Sequence, residues 1–249
     1  MKKSTGQHTL SIDIGGSHVK ATILNKQGKL TMEYDKEDTP MPSTPQNMMD
    51  AIKKLVKGFP EYNQISVGFP GYIKNGVVVT APNLGNKAWG GFDLQTELGK
   101  ELGKPAKVVN DADMAGLGVV NGNGFEMVIT LGTGFGTAFF LNGVLLPHLE
   151  ISHHPFSKGM AYDEYMGDKA LDKLGLKKWN KRMTKVFKVL KTVFNYDYLY
   201  IGGGNARRLT FKLEDNMKLV TNEDGIKGGA RLWQTGKLEG VHSSVKSPK

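Results

Sequence analysis

The feature that most limits how this chain can fold is a unit of strand, glycine turn and second strand that occurs twice. Thr9 to Ile14 reads as a buried strand and stops at Gly15-Gly16-Ser17. A glycine turn of the Rossmann or P-loop kind opens a helix. Here Val19, Ala21 and Ile23 fall on one face and Lys20 and Thr22 on the other, the period of a second strand. The glycines therefore sit in a hairpin, and both nucleotide-loop readings are excluded. Residues 127 to 141 repeat the pattern: at an offset of 117 without gaps, IDIGGSHVKATILN and ITLGTGFGTAFFLN share five identities in fourteen positions. Two such units predict two domains of similar topology, divided as 1–110 and 111–249. Facing hairpins would make a cleft able to grip phosphate with backbone N–H groups. The alternative is a pair of ordinary structural hairpins. The 32 glycines, nearly 13% of 249 residues against ~7% on average, are attributed largely to these turns and to Gly202-Gly203-Gly204.

Between the repeats, Thr44 and Pro45 open a helix carrying Met48, Ile52, Leu55 and Val56, which Pro60 ends. Ile65 to Phe69 reads as a strand, Asn75-Gly76 as a hairpin, and Asp93 as the cap of a helix closed by Gly103. Lys107 to Val109 is a strand that gives way to a helix at Asn110-Asp111. Further on, helices are expected over 162–174, 181–194 and 225–233, with a strand at Tyr198 to Ile201. From about 242 the chain is polar and expected to be disordered. The absence of cysteine excludes disulfides, Fe–S clusters, cysteine-rich zinc sites and a thiol nucleophile. MKKSTGQHTL lacks the apolar core of a signal peptide, and no run of ~18 apolar residues follows, so a cytoplasmic protein without a membrane partner is expected.

Several residues carry candidate chemistry. Asp13 ends a buried strand beside a glycine turn, where a carboxylate needs a cation or a donor; it reads either as metal-facing or as an Asx turn. Asn110 and Asp111 fit plain N-capping. Equally, a carboxylate at a helix N-terminus facing a cleft can take a proton from a substrate hydroxyl. Glu150 and His153, in HLEISHHP, place an acceptor near a donor–acceptor, a combination suited to a vicinal diol, with His154 as a competitor for the second role. Residues 169 to 191 hold nine Lys or Arg against one acid, Asp172. Lys181, Lys185 and Lys188 lie opposite the apolar face of Met183, Val186, Phe187 and Leu190. This excess within a net charge of +9 is either a solvated face or a track for a polyanion. No RNA motif, zinc finger or helix-turn-helix pattern supports nucleic acid as that partner.

Together the stretches IDIGGSHVK, VGFPGYIKNGVVVTAPNLGNKAWGGFDL, VVNDADMAGLG, ITLGTGFGTAFFLNG, LEISHH and YLYIGGGNARRL, in that order, resemble the ROK sugar kinases, most closely their polyphosphate glucokinase branch. The resemblance implies an α/β, actin-like ATPase (ribonuclease H-like) fold, duplicated in two domains with a cleft between them. It implies phosphorylation of the 6-hydroxyl of glucose or a related hexose by polyphosphate or ATP, with Mg²⁺ as cofactor and a homodimer as the assembly. The alternatives are a strictly ATP-dependent glucokinase or hexokinase and a non-catalytic sugar-sensing regulator. Regulators of the family carry a DNA-binding domain ahead of the first motif, and here about eight residues precede it.

By the same resemblance, Asp13, Gly15, Gly16 and Ser17 form a first phosphate motif, with Asp13 near Mg²⁺ through water. Gly132, Thr133 and Gly134 form a second, and Gly203 and Gly204 lie beside the adenosine of a nucleotide donor. Asn83, Asn110, Glu150 and His153 bind the sugar, Asp111 is the base, and either Asp163 or Glu164 completes the contacts. Many relatives carry a cysteine-built zinc motif after the Glu-x-x-His element; without cysteine, no zinc is expected.

Overall fold

A computed structural model describes residues 6–234. The first half folds as β1 (Thr9–Ile14), β2 (His18–Leu24), β3 (Asp35–Asp38), α1 (Pro45–Leu55), β4 (Gln64–Phe69), the short pair β5 (Ile73–Lys74) and β6 (Val77–Val78), α2 (Asn86–Trp89), α3 (Leu94–Leu102) and β7 (Ala106–Asn110). The second half runs α4 (Asp111–Val119), β8 (Phe125–Leu131), β9 (Phe135–Leu141), β10 (Val144–Leu145), β11 (Pro155–Ser157), β12 (Met160–Ala161), α5 (Tyr162–Met166), α6 (Asp168–Phe194), β13 (Tyr198–Gly202), β14 (Met217–Leu219), α7 (Asn222–Ile226) and α8 (Gly228–Arg231).

The repeat seen in the sequence is a repeat of topology. One sheet has the order β3-β2-β1-β4-β7 and the other β10-β9-β8-β13-β14. In each, two antiparallel pairings are followed by two parallel ones. Asp13 stands opposite Gly68 of β4 as Thr130 stands opposite Gly202 of β13, so Asp13 and Thr130 occupy matching positions. The gapless alignment needs one correction beyond the glycines. Residues 15–18 separate the paired Ile14 and Val19, whereas only residues 132–134 separate Leu131 and Phe135. The second turn is one residue shorter, so the identities Ala21/Ala138, Leu24/Leu141 and Asn25/Asn142 join residues that are not structurally equivalent.

Each sheet buries its own core. Ile12, Val67, Ile52 and the fully buried Trp89 belong to the first, and Ile129, Trp179, Met183 and Leu190 to the second. The Thr44 hydroxyl accepts from Asn47 N and caps α1, and the Asp93 carboxylate caps α3. The helix expected over 162–174 is interrupted at Gly167, which separates α5 from α6. A Cβ there would lie 2.6 Å from the Thr133 carbonyl oxygen, so the break lets the second glycine turn rest on this segment. A second break falls at Gly175, whose φ of 72° no other residue type adopts freely. The helix expected over 225–233 is two short helices, α7 and α8. The strands β3 and β14 are not legible in the sequence: DKED is wholly charged, MKL is only three residues long, and both serve as sheet edges. The disorder expected from 242 lies outside the described residues.

After β14 the chain returns to the first sheet. Ser66 Oγ donates to Gly229 O at 2.6 Å, Trp233 Nε1 donates to Ser66 Oγ at 2.9 Å, and Lys107 Nζ donates to Leu232 O at 2.9 Å. On the way α7 and α8 cross α4 at backbone contact. Arg231 donates to Leu117 O and Val120 O, satisfying carbonyls at the end of α4. A Cβ on Gly228 would lie 1.8 Å from Met114 O, and one on Gly118 would lie 2.1 Å from Asp224 O. Part of the glycine excess assigned to phosphate turns therefore belongs to this crossing. Gly228→Ala is expected to cost about 3 kcal/mol, since backbone must move to admit the methyl. Gly132→Ala, where no protein atom lies within 4 Å of the added methyl, leaves Tm unchanged. Thermal melts of the two variants check both outcomes.

Candidate functional site

The two sheets leave a cleft of about 810 Å³ between them, within the range of small-molecule sites. Both glycine turns reach it: Asp13, Gly15 and Gly16 from the β1–β2 turn, and Gly132, Thr133 and Gly134 from β8–β9. None of these four glycines in the turns has a positive φ. Gly15 and Gly134 are required by packing, because an added Cβ would lie 2.9 Å from His18 O and 2.9 Å from Asp163 Oδ1 respectively. Gly132 has no such neighbour, and at Gly16 the nearest atom is Asn83 Cβ at 3.9 Å. At those two positions the missing side chain leaves backbone open to the cleft, which is what close approach to a ligand needs.

The floor is the start of α4. The buried Asn110 caps the helix by accepting from Ala112 N at 2.8 Å and donates to Gly71 O at 3.0 Å. One amide N–H and one carbonyl lone pair remain available for a ligand. Capping and ligand contact are thus compatible. Asp111, the first residue of α4, lines the cleft. Gly68 of β4 allows it to sit close, since a Cβ there would lie 3.3 Å from Asp111 Cα. Burial, with the nearby charge of Asp13 second, pushes the Asp111 carboxyl up to about 7. Burial also raises Asp13, against the pull of Lys20.

Glu150, Ser152, His153 and Asp163 also line the cleft. Thr137 Oγ1 donates to Leu149 O at 2.9 Å and ties the Glu150 loop to β9. Glu150 Oε1 accepts from Ser152 Oγ at 2.6 Å. His153 lines the cleft while His154 packs towards the Tyr162 ring. Asp163 lines the cleft and accepts from Phe135 N at 2.5 Å, whereas Glu164 turns back to Ala161 N. Asn83 joins from the loop before α2 and Gly203 from the end of β13. Ser17 and Gly204 are exposed and outside the lining: Ser17 offers its carbonyl to Thr39 N, and only Gly202 and Gly203 of the triple glycine face the cleft. Lys181, Lys185 and Lys188 are exposed on α6 and outside it as well. Lys185 reaches the Ser157 hydroxyl at 3.4 Å and lies 5.4 Å from the Phe156 ring centre. The basic face therefore borders the segment that follows His153.

Sequence reasoning missed three groups. Lys20 lines the cleft; the alternation of β2, which sets it opposite Asp13, was its signal. Asp113 and His148 form a buried pair behind Glu150, with Nδ1 3.1 Å from the Asp113 carboxylate and both side chains 5% exposed. Nothing local announces that pair, because its members lie 35 residues apart. Burial would depress the His148 imidazole, yet its bond to Asp113 and the nearby Glu150 carboxylate outweigh that and push it up to about 10. Contact with His148 first, then Ser152, holds Glu150 below its ordinary range against the effect of burial.

Two copies of one sheet topology, each lending a glycine hairpin to a shared cleft, define the actin-like ATPase fold. The ROK family profile matches residues 9–148, and the chain belongs to the ROK family. Polyphosphate glucokinase of Mycobacterium tuberculosis (strain ATCC 25618 / H37Rv) is 33% identical over 215 residues, covering 82% of this chain and 80% of that protein. The Mycobacterium leprae polyphosphate glucokinase is 31% identical over 245 residues, 91% of this chain and 75% of its own length. The inorganic polyphosphate/ATP-glucomannokinase of Arthrobacter sp. strain KM superposes with a TM-score of 0.80 at 33% identity, over 90% of this chain and 97% of that one.

The His148 charge has a consequence for stability. Its folded pKa lies above the unfolded value of about 6.5, so its contribution is complete below that value and is lost as pH rises through about 10. The stability difference between the wild type and His148→Gln should therefore shrink from pH 6.5 to pH 10, as urea titrations at several pH values would show.

Proposed function

We propose that this enzyme transfers the terminal phosphoryl group of inorganic polyphosphate, or of ATP, to the 6-hydroxyl of glucose. The observation that carries the reading is Asp111 at the head of α4. It is a carboxyl poised near neutral pH on the floor of a cleft that holds both open glycine turns and the diol-accepting Glu150 and His153. Relatives named for polyphosphate and glucose support the substrate pair.

In this reading Asn83, Asn110, Glu150 and His153 hold the sugar, with Asp163 in preference to Glu164 as the further acid. Asp111 accepts the 6-hydroxyl proton as that oxygen bonds to the terminal phosphorus and the bond to the rest of the donor breaks. The products are the sugar 6-phosphate and a donor shorter by one phosphoryl group. N–H groups of the turns meet the equatorial oxygens, since phosphoryl transfer depends mainly on positioning and charge stabilisation. A Mg²⁺ ion fits beside Asp13, whose half-buried carboxylate supplies the hard oxygen that this ion takes together with water and donor phosphate. No cluster of three or more His, Asp or Glu side chains suited to a metal occurs among the described residues, so Asp13 would be its chief protein ligand. When bound, the ion would neutralise donor charge.

Lys181, Lys185 and Lys188 are proposed as the path of a long polyphosphate outside the cleft. We also propose the change of domain at Asn110–Asp111, with α7 and α8 rejoining the first half, and a cytoplasmic homodimer as the working form. No helix among the described residues is long and apolar enough to cross a membrane.

Asp111→Asn is expected to lower kcat by about 10²-fold or more, and the wild-type kcat/KM should rise with pH on an acid limb near 7. Near-normal turnover of the variant would sink the assignment. Initial rates across polyphosphate, ATP and a panel of hexoses test the substrates. Replacing the three lysines by Gln should raise KM for long polyphosphate, flatten its salt dependence and leave KM for ATP unchanged.

A further inference from the structure

We infer that Asp113 and His148 are a positioning pair that aims Glu150 at one sugar hydroxyl and holds it there as a pure hydrogen-bond acceptor; the inference rests on the reading of the cleft as a sugar site. The pair joins two segments distant in sequence, α4 and the loop that carries both His148 and Glu150. Asp113 sits in the first turn of α4, two residues beyond Asp111 but facing away from it into the core, and is 4% exposed. His148 comes from the loop after β10. Its Nδ1 meets the Asp113 carboxylate at 3.1 Å, and its Nε2 points at Glu150 Oε2 from 3.5 Å. Tyr72 covers the ring, with centroids 5.8 Å apart and planes inclined by 23°.

The unfinished bond is the informative one. Nε2 is buried and has no hydrogen-bond partner of normal geometry among the described residues. A buried donor left in this state costs stability unless something completes it. Movement of Glu150 by a few tenths of an ångström would do so. The other carboxylate oxygen is already held by Ser152. With one contact on each oxygen, about two of the four lone-pair positions of Glu150 remain for a ligand. An ionised carboxylate can only accept, so it favours a hydroxyl and rejects a position that lacks a donor. The charges that act on His148 are those of the two carboxylates it joins, and those that act on Glu150 are His148 and His153, so each side of the contact favours the ionised form of the other.

A buried ion pair is a poor device for stability alone, because desolvation offsets most of its attraction. Its place directly behind a cleft carboxylate gives it a different use. Neither Asp113 nor His148 lines the cleft; both act through Glu150.

The test measures kcat and KM for glucose and its four ring-position deoxy analogues in the wild type, His148→Gln, His148→Leu and the double variant Asp113→Asn/His148→Gln. The double variant replaces the ion pair with neutral hydrogen-bonding groups and guards against misfolding caused by an unpaired Asp113. In the wild type, loss of the hydroxyl met by Glu150 should lower kcat/KM by about tenfold or more. In His148→Leu and in the double variant, discrimination at that one hydroxyl should collapse. KM for glucose should rise about tenfold while kcat changes by less than about threefold; His148→Gln should be intermediate. Equal losses at every position, or wild-type discrimination in a folded double variant, would overturn the inference. If the wild type phosphorylates no sugar, the functional reading itself fails, and the two failures are told apart by that first measurement.

Discussion

The close crossing of α4 by α7 and α8 is the constraint on which the cleft depends. Glycine stands wherever backbone meets backbone: Gly118 under the Asp224 carbonyl, Gly228 against that of Met114, and Gly68 under the start of the helix. A Cβ at Gly118 or Gly228 would force α4 apart from α7 and α8, and one at Gly68 would push the start of α4 off the first sheet. Asp111 would then leave the floor, Asn110 would lose Gly71, and Asp113 would withdraw from His148. One helix therefore sets the reach of the proposed base, the cap and the buried pair together. Its neighbours are held by side-chain bonds that the crossing itself makes possible, Arg231 to the end of α4 and Ser66 to Gly229.

The charges of the cleft follow from what this helix buries. Asp13 and Asp111 face a shared space, and burial first and then the charge of Asp13 make Asp111 harder to ionise. At Glu150 the balance is reversed, and contact with His148 favours the ionised carboxylate. Carboxyl groups of nearly equal intrinsic acidity are thus separated into one suited to gaining a proton near pH 7 and one suited to refusing it, a division of labour that pairs of acids in active sites commonly show.

The sequence made the hairpins legible because alternation of period two and a pair of glycines are local signals, as were the caps Thr44, Asp93 and Asn110. It was blind where the cause is distant. The break at Gly167 falls inside a stretch that reads as continuous helix, because what interrupts it is the Thr133 carbonyl, far away in the chain, whereas the break at Gly175 coincides with the expected end of that helix at 174. The edge strand DKED has no buried face to betray it, and MKL buries only Met217. Among the candidate site residues, those next to a turn or cap came to the cleft, while Ser17 and Gly204, each at the end of a glycine run, point outward. Lys20 was visible as a strand position but not as a cleft residue. The pairing of Asp113 with His148 needed three dimensions.

The duplicated halves meet the cleft with unlike residues, because Asp13 of one stands where Thr130 stands in the other. Two equivalent turns would offer a bound molecule the same surroundings from either side. A carboxylate on one side only, and a turn one residue shorter on the other, make the groove polar along its length. The repeated topology gives the frame its symmetry, and the symmetry is lost at two points within the cleft itself.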